Sequence, residues 1–462
     1  MTNDTTQSKP LNVLVMAAGL GTRMKSNRAK VLHELGGRPL IAHVARTAAS
    51  LKPQKIIVVV GYQAEEVETA TRAEVGELAS FVLQAEQRGT GHAMECARAL
   101  LENSDSLLLS LYGDGPLIRA ETMRNLIEHH RASGASCSIL SVRLENPTGY
   151  GRIIRDESGQ FQRIVEQKDA TEEERKIREI NSGIYCFETK DLFEALKRVE
   201  PKNQQGEYYL TDVAEILLAL GRKVEVFVHH DAREVSGINT RAELAEFENL
   251  LRRNAIRRLM LEGGVTFIDP SHAYVSPDAQ IGRDTIVHPD VTIEGTSVIG
   301  EGCVIRSGAR ITNSRLGDEV VVKDHSVIVD SEIASRCSVG PFAHLRMNAA
   351  LEEKATVGNF VEVKKSRLKR GTKAMHLSYL GDATIGERTN IGAGTVTCNY
   401  DGVRKHETVI EDDVKIGSDT MLVAPVRVGA RSVTGAGSVV TKDVPPDSLV
   451  AGVPAEIKKT LK

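Results

Sequence analysis

The pattern of apolar and polar positions divides the chain into two regions with different periods. In the first, apolar runs of strand length alternate with helix-like stretches. Residues 11–17 read as a buried apolar strand, followed by a Gly-rich turn and a helical pattern over residues 40–49. Lys55–Val60 and residues 107–111 are further strands, the second running into Tyr112-Gly113-Asp114, with Pro116 starting the exit. Such alternation predicts an α/β domain on a mostly parallel sheet, with ligands at the C-terminal ends of its strands.

From about residue 275 the period becomes six. Val275, Ile281, Val287, Ile293, Ile299, Ile305 and Ile311 follow at six-residue steps. The pattern slips and resumes at Leu316, Val322 and Ile328, then at Val339, Leu345, Leu351, Val357 and Val363, and again at Ile410, Ile416, Leu422 and Val428. A six-residue repeat cannot keep one face of an α-helix, whose period is 3.6. It places one inward aliphatic residue on each side of a triangular parallel β-helix, about 18 residues per coil, with coils about 4.8 Å apart. Residues 399–407 interrupt the pattern as an insertion, the kind of loop that often carries function.

Between the two regions, residues 240–262 carry apolar positions, among them Leu244, Phe247 and Leu251, at helical spacing, and Gly263-Gly264 stops them. We read a linker helix here, between a first domain of residues 1–239 and a second of residues 263–462. Arg252, Arg253, Arg257 and Arg258 crowd the second part of this helix and read as a solvated face.

Composition narrows the function. The net charge of −3 over 462 residues gives no support for broad nucleic-acid or anionic-membrane binding. Aromatics are 4% with no Trp, which disfavours base-stacking platforms. The six cysteines are scattered without a CxxC pair, which disfavours a zinc or disulfide framework and fits a reducing compartment. The chain starts with the polar MTNDTTQSKP, without an apolar signal core, and no apolar run approaches the ~18 residues of a membrane span. The expectation is a cytoplasmic protein with no membrane span and no nucleic-acid partner.

Candidate chemistry begins where the first strand ends. In Met16-Ala17-Ala18-Gly19-Leu20-Gly21-Thr22-Arg23-Met24, small residues let backbone N–H groups approach an anion, and Arg23 and Lys30 can neutralise phosphates. A dinucleotide fingerprint is not met, because Met24 stands at the third glycine position and no acid ends the second strand. A Walker A sequence is absent.

This segment resembles the G-x-G-T-x-M…K signature of sugar-phosphate nucleotidyltransferases. Further matches are Gln84-Ala85-Glu86-Gln87-Arg88-Gly89-Thr90-Gly91, Leu111-Tyr112-Gly113-Asp114, Gly149-Tyr150-Gly151-Arg152 and Glu179-Ile180-Asn181-Ser182-Gly183. The second region adds Gly358-Asn359-Phe360-Val361-Glu362, His376-Leu377-Ser378-Tyr379-Leu380-Gly381-Asp382, Asn390-Ile391-Gly392-Ala393-Gly394 and Cys398-Asn399-Tyr400-Asp401-Gly402. In this order they resemble the bifunctional N-acetylglucosamine-1-phosphate uridyltransferase/glucosamine-1-phosphate N-acetyltransferase family over nearly the whole chain. The resemblance implies a Rossmann-like nucleotidyltransferase domain, the linker helix and a left-handed parallel β-helix of hexapeptide repeats.

It also implies sites. Met16, Ala17, Ala18, Gly19, Gln84, Gly89 and Thr90 would contact UTP, with Arg23 and Lys30 on its phosphates and Tyr112 and Gly113 beside it. Asp114 and Asn239 match the family's metal positions, and Gly151, Glu166 and Asn181 its sugar side. One carboxylate with substrate phosphates suits Mg²⁺. The attacking sugar phosphate is already an anion, so uridylyl transfer needs no general base. On the β-helix, His376 matches the general base of acetyl transfer, and Arg346, Lys364, Tyr379 and Asn390 match positions around the sugar phosphate. Ala393, Asn399, Tyr400, Ser418 and Ala436 match the acetyl-CoA side. An imidazole, ordinarily titrating near 6.5, suits deprotonation of an ammonium before it attacks a thioester. The chain departs from the family at Ala29, usually Pro, at Gly115, usually a bulky aliphatic, and near Gly452, where some members carry a cation that contacts CoA. Lys458 or Lys459 would substitute there. The resemblance implies a homotrimer acting on small-molecule substrates. Alternatives are a single-activity sugar-phosphate nucleotidyltransferase whose β-helix is structural or regulatory, and a non-catalytic nucleotide-sensing subunit.

Overall fold

The computed structural model describes residues 9–461; the polar N-terminal residues 1–8 and Lys462 lie outside the described residues. The chain divides into two compact units, Met1–Glu248 and Asn249–Lys462.

The first unit is built on one sheet whose strands run, edge to edge, Val224–His229, Cys137–Arg143, Glu179–Glu188, Leu107–Tyr112, Leu11–Met16, Lys55–Val60 and Ala79–Leu83. Leu11–Met16 is central and pairs in parallel with both Lys55–Val60 and Leu107–Tyr112. It is apolar from Val13 on because both faces are covered, as parallel sheets require: Leu14 packs into one core with Ile57 and Leu108, and Val13 into another with Ile56 and Leu109. Glu179–Glu188 lies antiparallel to its two neighbours and shifts register between Asn181 and Tyr185. That irregularity faces the C-terminal ends of the central strands, where the site forms.

The second unit is the expected β-helix: three sheets of eight, ten and nine short parallel strands, each strand pairing with the third one on in the chain except around the insertion, where Val396–Cys398 pairs with Met421–Val423 and Thr408–Ile410 with Val426–Val428, each the second one on. Val275 stands against Ile293 and Ile281 against Ile299, a coil of 18 residues. Every aliphatic position named in the six-residue pattern is buried in one continuous core. These stacked coils are the parallel β-helix that the six-residue period predicts.

A helix occupies Arg241–Leu261. Its arginines are not the uniformly solvated face that the charge pattern suggests. Arg252 donates to the carbonyls of Ser271 and Ala273 and lies over the Tyr274 ring, and Arg258 donates to the Pro277 carbonyl. The reason is geometric: carbonyls at the start of the β-helix turn toward the last helical turns and need donors. Among the described residues no helix is long and apolar enough to cross a membrane.

Candidate active sites

A cavity of about 590 Å³ opens at the C-terminal ends of the central strands of the first unit. Met16, Ala17, Ala18, Gly19, Arg23, Lys30, Gln84, Gly89, Thr90, Tyr112, Asp114, Gly151, Glu166, Asn181 and Asn239 all line it. Gly113 does not. A Cβ there would meet Ile41, Val31 and Ala17, so this glycine lets the strand pack against the helix behind it and leaves the lining to its neighbours.

Three parts of the chain converge at one point of the wall. The Lys30 ammonium pairs with the Asp114 carboxylate and donates to Asn239 Oδ1 at 3.0 Å. Lys30 and Asp114 are 84 residues apart, and Lys30 and Asn239 are 209 apart. The Asp114 carbonyl accepts from the Ile238 amide, which fixes the two oxygen-bearing segments side by side. A cation thus already sits between a carboxylate and an amide oxygen. Two hard oxygen donors, with phosphate oxygens and water to complete the shell, fit a small divalent ion better than a transition metal. Among the described residues no cluster of three His, Cys, Asp or Glu offers an all-protein metal cage.

The opposite wall is acidic. Gly151 leaves the Glu166 carboxylate uncovered. Burial pushes the Glu166 carboxyl up, and Asp169 and Asp212 add to it. Asp212 is pushed up to about 6 by burial, with Glu215 and Asp169 contributing.

On the β-helix the expected residues fall into two groups. Arg346 and Lys364 stand in register on neighbouring coils. Tyr379 is in register with Glu362 one coil on, and Asn399 donates to Asp382 Oδ2 at 2.6 Å and approaches Tyr379 Oη at 3.5 Å. Lys364 is buried and faces Asp382 at 3.9 Å. The second group is a corner column. Asn359 and His376 are register partners, Ser378 Oγ donates to the Gly392 carbonyl of the next coil, Ala393 accepts from Asp419, and Ser418 accepts from Gly437. His376, Ala393, Ser418 and Ala436 therefore occupy corresponding corners of successive coils. Leu377 takes φ +47, the left-handed turn that swings the chain round the corner immediately after His376. Gly358 has to be glycine, since a Cβ would lie 1.9 Å from the Met375 carbonyl of the coil above. Asn390 lies on the preceding sheet, beside Lys373 and Lys415, and Tyr400 is exposed with its hydroxyl on the Gly402 carbonyl. Among the described residues neither is hydrogen-bonded to the His376 or Lys364 groups.

Comparison with known proteins decides the family. Residues 12–235 match the nucleotidyl transferase family, residues 270–357 the GMPPB C-terminal domain and residues 407–442 the bacterial transferase hexapeptide repeats. The bifunctional protein GlmU of Syntrophomonas wolfei is 48% identical over 439 residues, covering 95% of this chain and 96% of its own. Proteins of the same name from Heliobacterium modesticaldum and Geobacter metallireducens are 49% and 47% identical, covering 94% and 97% of this chain and 94% and 97% of theirs.

The chain belongs to the bifunctional GlmU family.

Its departures from the GlmU pattern have structural consequences. Ala29 has the amide that Pro lacks, and that amide donates to Gln63 Oε1 at 2.6 Å, pinning the segment that carries Lys30. Gly115 lines the cavity and leaves the flank of Asp114 open. Lys458, one of the two candidate cations near the C-terminus, is paired with Glu456.

The sequence reading missed several residues. Gln87 lines the cavity and donates to the Ala18 carbonyl at 2.6 Å, and it lay within a quoted motif. Asn359 Oδ1 lies 2.8 Å from His376 Nδ1. An amide oxygen only accepts, so Nδ1 carries a proton, and in the neutral ring Nε2 is the nitrogen with the lone pair. Lys405, from the insertion, lies against Lys364, whose charge pushes its pKa down. Lys364, Lys405 and Arg346, set against the carboxylates of Glu362 and Asp382, leave positive charge in excess, which suits an anion. Its signal was present: a lysine in the loop that breaks the repeat.

Proposed function

We propose that the protein synthesises UDP-N-acetylglucosamine in two steps. On the β-helix, the 2-amino group of glucosamine 1-phosphate takes the acetyl group of acetyl-CoA. In the first unit, the N-acetylglucosamine 1-phosphate takes UMP from UTP and releases pyrophosphate. The observation that carries this reading is the meeting of Lys30, Asp114 and Asn239 in one cavity wall, in a chain that also builds a corner column on His376.

For acetyl transfer, His376 Nε2 accepts a proton from the substrate ammonium. The freed amine attacks the thioester carbonyl, the C–S bond breaks, and the CoA thiolate leaves and is protonated. Asn359 holds the imidazole in the tautomer this needs. Lys364, Lys405 and Arg346 hold the 1-phosphate, and the column Ala393, Ser418, Ala436 offers the acyl donor a track along the coils. For uridylyl transfer, a phosphate oxygen of the sugar attacks the α-phosphorus and the bond to the β-phosphate breaks. Lys30 and Arg23 hold the phosphates, and the small residues at Ala17, Ala18 and Gly19 let them approach the backbone. Asp114 and Asn239 would hold Mg²⁺, which supplies charge neutralisation for the pyrophosphate when bound. Glu166, Gly151 and Asn181 face the sugar.

In this reading the chain works in the cytoplasm as a homotrimer whose acetyl-transfer site is completed between subunits. Phe342, Phe360 and Leu377 support it: they are 49%, 56% and 62% exposed at the corner that carries His376, with the two Phe rings stacked 5.2 Å apart. Two variants test the assignment. His376→Ala loses CoA release and keeps pyrophosphate release from UTP and N-acetylglucosamine 1-phosphate; Asp114→Asn does the reverse. His376→Ala with unchanged acetyl transfer overturns the β-helix half of the reading.

A further inference from the structure

The helix Arg241–Leu261 begins two residues after Asn239, and its first two turns are fastened to the segment that follows Lys30. Thr240 and Glu243 cap it reciprocally: the Glu243 amide donates to Thr240 Oγ1 at 3.1 Å, and the Thr240 amide donates to Glu243 Oε2 at 3.0 Å. The same carboxylate oxygen accepts from the Asn239 amide at 2.7 Å, so the cap also fixes Asn239. One turn on, Glu248 Oε2 accepts from the Gly36 amide at 2.7 Å. Between them, Arg241 Nη1 donates to His33 Nδ1 at 3.2 Å across 208 residues.

His33 ends the short turn Lys30–Leu32, and its own amide bonds to the Lys30 carbonyl. The side chain is buried, at 4% exposure. Burial, with Arg241 and Arg28 beside it, pushes its pKa down against an opposing backbone hydrogen bond with Arg28; a guanidinium only donates, so Nδ1 is the acceptor toward Arg241. Pinned by the Gln63 bond to Ala29 on one side, the Lys30 turn is held by Arg241 on the other.

We propose that Arg241 is a positioning residue of the uridylyl-transfer site: through His33 it fixes the Lys30 turn against the Asn239 segment, so that the phosphate cation and the amide oxygen arrive in register. The start of this helix is then part of the nucleotide site as well as a connection. The proposal rests on the uridylyl-transfer reading above. It concerns residues that touch neither substrate nor metal.

The test uses the full-length protein and titrates UTP with Mg²⁺ calorimetrically, without sugar, alongside initial rates of pyrophosphate release. Losing a hydrogen bond from a charged donor to a buried acceptor predicts that Arg241→Met weakens UTP binding and raises its KM about tenfold or more. KM for N-acetylglucosamine 1-phosphate and acetyl transfer stay near wild type. His33→Leu gives the same loss. His33→Asn, whose Oδ1 replaces Nδ1 as acceptor, restores most of it, and the double variant Arg241→Met/His33→Leu is no worse than either single one. Arg241→Met with UTP affinity within twofold of wild type overturns the proposal, as does a His33→Asn protein as impaired as His33→Leu. Wild-type protein that neither binds UTP nor releases pyrophosphate fails the uridylyl-transfer reading itself, a separate result.

Discussion

Asn359 offers a sharp test of how the acetyl-transfer site works. Asn359→Ala removes the acceptor of His376 Nδ1–H, a 2.8 Å hydrogen bond on the exposed corner of the β-helix. Because water reaches the ring, the net contribution of that bond falls toward the low end of ~0.5–1.5 kcal/mol. At ~1.4 kcal/mol per decade this is about a two- to tenfold loss in acetylation rate. Removing the base itself, as in His376→Ala, costs ~10²–10⁴-fold. The two variants therefore separate by at least about a decade. Asn359→Asp keeps an acceptor and adds a negative charge beside the imidazole, which favours the protonated ring. The acid limb of its kcat/KM profile shifts to higher pH, since the ring must lose that proton to act. The assay follows free CoA thiol from glucosamine 1-phosphate and acetyl-CoA, with pyrophosphate release in the same preparation as a control on folding. An Asn359→Ala enzyme as slow as His376→Ala would refute the orienting role and place Asn359 among the reacting groups. An Asp variant with an unshifted acid limb would remove His376 as the titrating base.

Other outcomes follow from the same geometry. Lys30→Met leaves Asp114 and Asn239 without their shared cation; opposite unit charges 4 Å apart are worth ~4 kcal/mol at an effective dielectric of 20, so even half of that lowers pyrophosphate release ~30-fold, and a loss below threefold contradicts the assignment. Burial, then His129 and Arg131, push the His130 pKa down to about 4. The unfolded chain therefore takes up that proton first, and the first unit loses up to ~3 kcal/mol as pH falls from ~6.5 to ~4, with no contribution from this group above that window. Denaturant unfolding at pH 7 and pH 4.5 measures the drop, which shrinks in His130→Leu. Leu345 is fully buried between Ile328 and Val363 of the neighbouring coils. Leu345→Ala costs the β-helix ~2–5 kcal/mol, and a cost under ~1 kcal/mol in equilibrium unfolding would contradict the stacked core.

What the chain reveals before folding depends on whether the signal is local. The β-helix was legible because each inward aliphatic residue announces itself six positions after the last, and Val275, Ile293 and Ile311 stack as the period requires. The loop that lines the cavity after the first strand was legible because Met16, Ala17, Ala18 and Gly19 are contiguous and follow the strand that holds them. That Gly113 stands behind the lining has no mark in the sequence, because the close packing of Ile41, Val31 and Ala17 that its hydrogen allows comes from distant segments. The arginines of the linker looked solvated because the carbonyls they meet, at Ser271, Ala273 and Pro277, carry no mark in the sequence. Asn359 was invisible as a partner for a similar reason, and Lys405, though flagged by the loop it stands in, could not be assigned to Lys364. Their meaning depends on which coil stacks on which, and the insertion at residues 399–407 changes that count locally.

The most direct measurement supplies purified protein with glucosamine 1-phosphate, acetyl-CoA, UTP and Mg²⁺, and follows free CoA thiol and pyrophosphate separately. The account predicts both products, with pyrophosphate lagging until acetylated sugar accumulates. Pyrophosphate only when pre-acetylated sugar is supplied, with no CoA thiol at any time, would contradict it and reduce the β-helix to a scaffold.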